Sequence, residues 1–171
     1  MTSQNELLEA IKSLVFSPKT IVSCPAMPMG IPGITAGDAL DAGDCIGTIM
    51  VIPVPKVGII QSATYWDLDD ESTQLDLEIF KESIAQIASD SAWSPTDVTM
   101  RNFVTELAFV VGDDHGNSYT FQLTNIGLAY TAPSGKFYIQ AVDRSTKNIA
   151  AGSMPLIQLQ IESFDPDFEG G

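Results

Sequence analysis

The sequence predicts a mainly β protein, an antiparallel β-sandwich of the jelly-roll or Greek-key type, with a short N-terminal helix and an extended arm. Three observations lead to this prediction. Several segments after residue 44 alternate apolar and polar residues with a period of two, which is typical of strands with one buried and one solvent-facing side. Turn-forming residues separate these segments at regular intervals. Roughly seven or eight such strands fit within about 120 residues, as in two-sheet sandwiches.

Residues 5–16 predict a short amphipathic helix. Its apolar side chains recur at the spacing of one helical face, and they are Leu7, Leu8, Ile11, Leu14 and Val15. Pro18 ends the helix, because the residue before a proline is pushed out of the helical conformation. A helix of three turns is marginal in isolation, so this one must pack against the protein's own core or against a neighbouring subunit.

Residues 17–44 predict an arm with little regular structure, because prolines and glycines recur throughout it. Pro25, Pro28 and Pro32 are among them. A long segment of this kind usually wraps a surface or spans between subunits. We therefore expect these prolines and the apolar stripe of the helix to contact a partner.

Four segments after the arm alternate most clearly, and they are residues 73–79, 119–123, 137–141 and 156–162. In the first of them, Leu75, Leu77 and Ile79 are expected to face the core, whereas Asp76 and Glu78 are expected to face solvent. This alternation favours antiparallel sheets over a parallel α/β core.

Residues 46–54 and 59–68 predict two further strands. The first is expected at a sheet edge, because Pro53 and Pro55 cannot donate hydrogen bonds to a neighbouring strand. The apolar residues 84–88 lie between turn-forming residues and predict either a short helix or an irregular crossing.

A loop rich in turn-forming residues, 112–117, separates residues 103–111 from residues 118–124. This arrangement predicts a β-hairpin. The chain is therefore divided into a helix and arm over residues 1–44, a β-sandwich domain over residues 45–164 and an acidic flexible tail over residues 165–171.

The charge of the chain limits its partners. It has 22 acidic residues against eight Lys and Arg, a formal net charge of −14. Such a surface repels phosphate backbones and anionic lipids, so neither nucleic acid nor membrane is an expected partner. The N-terminal residues lack the cationic start of a secretory signal, which predicts folding in a cytoplasm.

The residues that could carry chemistry are few. His115 is the single histidine and lies in the turn-rich loop, where an exposed histidine is the simpler interpretation than a catalytic base. Cys24 and Cys45 could form a disulfide, but two small buried side chains are favoured. The sequence therefore predicts no enzyme, no cofactor and no metal site.

Two alternatives remain open. Calcium could bind an acidic run, although solvated charge is the commoner role of such residues; the run is Asp67, Asp69, Asp70, Glu71, Asp76 and Glu78. Aromatic residues could form a sugar-binding platform, although packing within the sheets is favoured; they are Tyr65, Trp66, Trp93, Tyr119, Tyr130 and Tyr138.

Several segments stand out when they are taken in order, namely GDALDAGD (37–44), GTIMVIPVP (47–55), IIQSATYWDLDD (59–70), QLDLEIF (74–80), AWSPTD (92–97), NIGLAY (125–130) and SGKFYIQAV (134–142). Together they resemble small head proteins of tailed bacteriophages, namely capsid decoration or cement proteins. The likeness covers roughly residues 37–162 and includes no catalytic signature.

This resemblance implies a non-enzymatic protein of the virion that bridges capsid subunits and is made in the host cytoplasm. The expected partners are the major capsid protein or other virion proteins, together with further copies of this chain, by resemblance as a trimer. Two alternatives are a tail- or fibre-associated subunit and a carbohydrate-binding module for receptor recognition.

Overall fold

The computed structural model describes residues 20–34, 40–146, 149, 154–165 and 167–168. Within these residues the chain forms ten β-strands and one short helix, and the strands make two antiparallel sheets. The protein is therefore mainly β, as the alternation predicted. The predicted N-terminal helix lies outside the described residues.

The larger sheet has six strands. In spatial order it contains β1 (Thr20–Gly30), β10 (Leu156–Ser163), β3 (Val57–Asp67), β7 (Tyr119–Leu123) and β6 (Gly112–Asp114), with β8 (Leu128–Thr131) paired to β3 as well. β7 pairs with residues 63–67 of β3 and β8 with residues 57–60, so the two short strands share one edge of the long one.

The smaller sheet has four strands, in the order β2 (Cys45–Pro53), β9 (Lys136–Asp143), β4 (Leu75–Phe80) and β5 (Phe103–Phe109). The predicted edge position of β2 is confirmed, and Pro53 is its last residue. The helix α1 (Asp97–Met100) lies between β4 and β5 in the chain, and Thr96 caps it by accepting a hydrogen bond from the Thr99 amide.

Both sheets contribute to one hydrophobic core. Tyr65 of the six-stranded sheet stacks on its neighbour Phe121 and meets Phe109 of the four-stranded sheet edge to face, with ring centroids 5.7 Å apart. The inward residues of the alternating segments, such as Leu77, Ile139 and Leu159, are fully buried as predicted. Alternation therefore identified the core side of these strands correctly.

The arm prediction is wrong for residues 20–30. These residues form β1, which pairs antiparallel with β10 at the edge of the six-stranded sheet. Pro25 and Pro28 are tolerated there because they lie in a bulge between Cys24 and Met29, at an edge where no further strand needs their amides. Cys24 and Ile31 are fully buried, so this segment belongs to the folded domain.

The predicted hairpin is also wrong. β5 pairs with β4 in the smaller sheet, whereas β7 pairs with β3 and β6 in the larger one. The chain crosses between the sheets at Val110 and Val111, and the turn residues that follow connect β6 to β7 instead. The same separation holds for β2 and β3, which are confirmed as strands but lie in different sheets.

Two smaller predictions can be compared with the structure. Residues 84–88 form an irregular crossing, not a helix. At the start of the predicted tail, Phe168 packs against the core, and the Lys56 amide donates a hydrogen bond to Asp165 Oδ2 at 3.3 Å. The described part of the tail is thus attached to the domain.

Candidate functional site

The outward side of the six-stranded sheet carries a group of uncharged residues, here called the uncharged face. Period-two alternation places them opposite the core side of β1, β3, β7 and β10. They are Ser23, Ser62, Thr64, Trp66, Thr120, Gln122, Leu156, Gln158 and Gln160. Gln122 is exposed and the other eight are partly exposed.

Strand register arranges the uncharged face in rows. Gln122, Thr64 and Gln158 lie directly opposite one another on β7, β3 and β10. Thr120, Trp66 and Leu156 form the next row, which places the indole between a hydroxyl and an aliphatic side chain. The result is a sheet surface rich in hydroxyl and amide groups with one aromatic residue.

Internal hydrogen bonds fix the position of several side chains of the uncharged face. Gln158 Nε2 donates to the carbonyl oxygens of Pro25 and Ala26, both at 3.1 Å. Gln160 Nε2 donates to Ser23 Oγ at 2.9 Å. These amides bridge β10 to the bulged edge strand β1, and this part of the face is therefore held in a defined geometry.

Among the residues that the structure describes, charged side chains lie at the margins of the uncharged face and not across its middle. Asp113 lies on β6 at one edge, and Glu162 near the other edge accepts a 2.7 Å hydrogen bond from Gln61 Nε2. For a chain with a net charge of −14, a sheet side whose described residues include no charge across its middle is a marked local difference.

The structure describes only part of the predicted partner contacts. Pro25 and Pro28 lie in β1, beside the uncharged face, and Pro32 follows the strand. The Thr48 amide donates a 2.7 Å hydrogen bond to the Pro32 carbonyl. A Cβ on Gly47, whose φ is +60°, would stand 2.3 Å from that oxygen, so glycine is required there. The other predicted contacts lie outside the described residues, namely Leu7, Leu8, Ile11, Leu14 and Val15.

The outward side of the four-stranded sheet is different, because it carries an acidic cluster of Asp76, Glu78 and Glu106 with Arg144. Glu78 and Glu106 are directly opposite on β4 and β5. Arg144 Nε pairs with the Asp76 carboxylate, and its Nη2 lies 3.9 Å from Glu106 Oε2. The prediction that Asp76 and Glu78 face solvent is wrong, since each residue is only 5% exposed.

Burial and the neighbouring acid control the protonation of this cluster. The pKa of Glu78 is raised to about 7, first by burial, then by the charge of Glu106, with Arg144 opposing the shift. Glu78 and Glu106 are linked by a side-chain hydrogen bond. A carboxyl with a pKa near neutrality can act as a general acid or base, but the low exposure of Glu78 limits its contact with any substrate.

Aromatic and polar neighbours cover part of the same side. Trp93 and Phe103 each meet the buried Phe80 edge to face. Gln140 lies opposite Glu78 on β9, is fully buried, and donates to the carbonyl oxygens of Ile46 and Ala141. This side of the smaller sheet is thus packed over much of its area.

The remaining candidate residues resolve as follows. Tyr65 and Tyr130 are core residues, so packing is confirmed for them, whereas Trp66 belongs to the uncharged face. Cys24 and Cys45 are free and buried, so the disulfide alternative is wrong. Burial raises the pKa of the Cys24 thiol to about 12 and that of Cys45, together with the nearby Asp44 charge, to about 11.

His115 is exposed in the turn between β6 and β7, as predicted. Among the described residues, no three or more His, Cys, Asp or Glu side chains group closely enough to hold a metal ion. In the same part of the chain, no helix has the length and apolar composition needed to cross a membrane.

The uncharged face was missed by the sequence analysis. A signal was present, because the outward positions of 119–123 and 156–162 are mostly glutamine and threonine instead of acids. Their significance depends on β3, β7 and β10 being neighbours, which alternation within each segment does not reveal.

No protein-family model matches this chain, and no curated protein is similar to it.

Proposed function

We propose that this protein is a non-enzymatic viral structural protein, a capsid decoration or cement protein that bridges capsid subunits. The observation that carries the proposal is the uncharged face, on a chain whose overall charge is −14. The centre of a protein interface is depleted in charged residues, because an unpaired charge loses its hydration there. This side of the larger sheet therefore suits contact with another protein.

The order of the strands supports a finer assignment of the fold as a jelly-roll sandwich. With the two shortest strands, β6 and β8, set aside, the pairs β1–β10, β2–β9, β3–β7 and β4–β5 are nested along the chain. Folding one long hairpin of four nested pairs into two sheets yields such an order. Jelly rolls occur in viral capsid proteins and in lectins, so the fold agrees with the proposal without deciding it.

The resemblance to phage head proteins and the acidic composition point in the same direction. High negative charge favours the solubility of a protein that is made in many copies. We propose the major capsid protein or another virion protein as the partner and a homo-oligomer, by resemblance a trimer, as the assembled form.

The first test is the copy number in intact particles. Particles assembled from the genome that encodes this chain would be purified, and the chain would be quantified against the major capsid protein by mass spectrometry. A decoration protein is present in a fixed ratio to the capsid protein. Absence from the particles contradicts the proposal, and a few copies per particle would indicate a tail or fibre position.

The second test places a charge on the uncharged face. Gln122→Glu is isosteric and adds a charge at an exposed position, so folding is preserved while an interface there would have to bury the charge. Binding of purified protein to particles that lack it should weaken on the order of 100-fold, measured by co-sedimentation. Asn117→Asp, the same change in the exposed β6–β7 turn, is the matched control and should bind normally.

A carbohydrate-binding module is the second candidate, and one specific observation favours it. Trp66 lies beside the row of Gln122, Thr64 and Gln158, and an aromatic face next to hydroxyl and amide groups is suited to binding neutral sugars. Glycan-array binding that is abolished by Trp66→Ala and unaffected by Gln122→Glu would favour this candidate over the first.

A further inference from the structure

A second group of polar residues lies inside the domain, at the end of the core where β3 and β9 finish and β4 begins. It is called the polar end and consists of Tyr65, Asp67, Thr73 and Asp143. Asp67 is 2% exposed and Asp143 is fully buried, and they belong to different sheets. Asp67 lies on the same side of β3 as Tyr65, which faces the core.

Hydrogen bonds link the two carboxylates to two consecutive residues that precede β4. Asp67 Oδ2 accepts from the Thr73 amide at 2.8 Å. The next amide, of Gln74, donates to Ser145 Oγ at 3.1 Å, and that hydroxyl donates to Asp143 Oδ1 at 3.0 Å. The amide of Thr73 is therefore bonded directly to Asp67, and the amide of Gln74 is linked to Asp143 through Ser145.

Three buried oxygen atoms at the polar end have no hydrogen-bond partner among the described residues. They are Tyr65 Oη, Thr73 Oγ1 and Asp143 Oδ2. Buried polar atoms are nearly always paired, so an unpaired group of this kind indicates a water molecule or an ion. Burial raises the pKa of Tyr65, and the charges of Asp67 and Asp143 raise it further, which agrees with carboxylates close to the phenol.

The negative charge of the polar end favours an ion over a water molecule as its occupant. Within the described part of the chain, no Lys or Arg forms an ion pair with Asp67 or Asp143. Arg144, the nearest in sequence, pairs instead with Asp76 on the outward side of the smaller sheet. Two buried carboxylates without a cation are costly, and a water molecule does not neutralise them.

We propose that the polar end binds one small hard cation, with Asp143 Oδ2, Thr73 Oγ1 and Tyr65 Oη as its oxygen ligands. Asp67 supplies the second negative charge while its own oxygens hold the 67–73 loop. The cation class is that of Ca²⁺, which takes six to eight oxygen ligands and accepts backbone carbonyls and water among them. With two buried carboxylates at the site, the dissociation constant should lie on the order of 10⁻⁴ to 10⁻³ M.

This site differs from the calcium alternative that the sequence left open. Of the acidic run, Asp67 belongs to the polar end and the charge of Asp69 also raises the pKa of Tyr65, whereas Asp76 and Glu78 lie on the outward side of the other sheet. The essential Asp143 is far away in sequence. Asp70 in the loop after β3 and Asp114, the last residue of β6, are exposed at this end, where they would concentrate cations. The inference does not rest on the proposed virion role.

The test uses the full chain after treatment with a chelator. Thermal unfolding is followed with added CaCl₂, MgCl₂, or NaCl at matched ionic strength, and Tb³⁺ luminescence is recorded with excitation of the aromatic residues. At a tenfold excess over its dissociation constant, Ca²⁺ should raise the Tm by about 3–6 °C. Tb³⁺ should emit on binding, because Tyr65 is a ligand, and Ca²⁺ should displace it.

Asp143→Asn should abolish both the Tm increase and the Tb³⁺ emission. Asp113→Asn, which removes an equal charge from an exposed position, should retain both. If Asp143→Asn does not fold, Thr73→Val provides the comparison, because it replaces the hydroxyl with a methyl group of similar size. It should weaken Tb³⁺ binding about tenfold.

Two results would overturn the proposal. A wild-type Tm unchanged by Ca²⁺ and Mg²⁺, without Tb³⁺ emission, would show that the polar end holds only water. Binding that survives Asp143→Asn, or Thr73→Val where that variant is used, would place the cation elsewhere, for example among the exposed acids.

Discussion

The outward sides of the two sheets differ in the burial and charge of their polar residues. On the four-stranded sheet, Asp76 and Glu78 are almost fully buried, and their charges are balanced by Arg144 and by protonation of Glu78. On the six-stranded sheet, the uncharged face remains partly exposed, and its amides and hydroxyls carry no charge to balance. The buried charges of the four-stranded sheet affect the stability of the domain itself. The uncharged face leaves a surface that can contact another molecule.

This difference indicates that position in the sheet does not by itself decide the role of an outward polar residue. Glu78 and Gln122 both lie on the side of their strand that faces away from the core. Glu78 is enclosed by neighbours from β5 and β9, so its substitution should change folding. Gln122 lies on β7, next to the short edge strand β6, and is exposed, so its substitution should change binding alone.

The largest effect is expected at Arg144. Arg144→Met removes the cation that pairs with the buried Asp76, and the free energy of unfolding at pH 7 should fall by about 3 kcal/mol. The value lies at the lower end for broken buried pairs because the arginine side chain is 41% exposed. Chemical denaturation measures the change.

Arg101→Met, which removes an exposed arginine after α1, is the control and should change stability by less than about 0.5 kcal/mol. The same loss in both variants would mean that the acidic cluster does not depend on its cation.

The next effect concerns Glu78 and has a defined dependence on pH. Its pKa is about 7 in the folded protein against an ordinary value of 4.5, so the folded state retains a proton that the unfolded state loses between these values. Wild-type stability should therefore fall as pH rises from about 4.5 through 7, and level off above it. Glu78→Gln removes this loss and should be about 2 kcal/mol more stable than wild type at pH 8, with little difference at pH 4.

Denaturant unfolding at several pH values checks this prediction, with the exposed Glu82→Gln as the control. A difference between Glu78→Gln and wild type that does not vary with pH would show that Glu78 keeps an ordinary pKa.

The smallest effects are expected on the uncharged face. Gln158→Leu removes the hydrogen bonds to the Pro25 and Ala26 carbonyls and should lower stability by about 1 kcal/mol. Gln122→Leu is the same substitution at an exposed position, where the side chain makes no hydrogen bond to another described residue, and it should change stability by less than about 0.5 kcal/mol. Thermal unfolding measures the stability of the two variants. Equal losses of stability would mean that the hydrogen bonds of Gln158 do not stabilise the domain.

The two sheets also show how far local sequence patterns reach. Alternation in residues 73–79 and 156–162 predicted the buried residues of β4 and β10 correctly, because a strand with one apolar side records in its own sequence which side meets the core. Alternation failed for Asp76 and Glu78, because residues of β5 and β9, together with Arg144 after β9, pack around them. The strand formed by residues 20–30 was not predicted, because the prolines of this segment are compatible both with a bulged edge strand and with an irregular arm.

By itself, the sequence determined the β class, most of the strands, the core side of each and the acidic character of the chain. These properties are written in the composition and in the order of neighbouring residues. Only the tertiary structure decided which sheet each strand joins, that the outward residues of β3, β7 and β10 form one uncharged face, and that Asp67 and Asp143 both lie at the polar end. These depend on contacts between residues far apart in the chain, and a pattern with a period of two carries no information about which distant strand lies alongside.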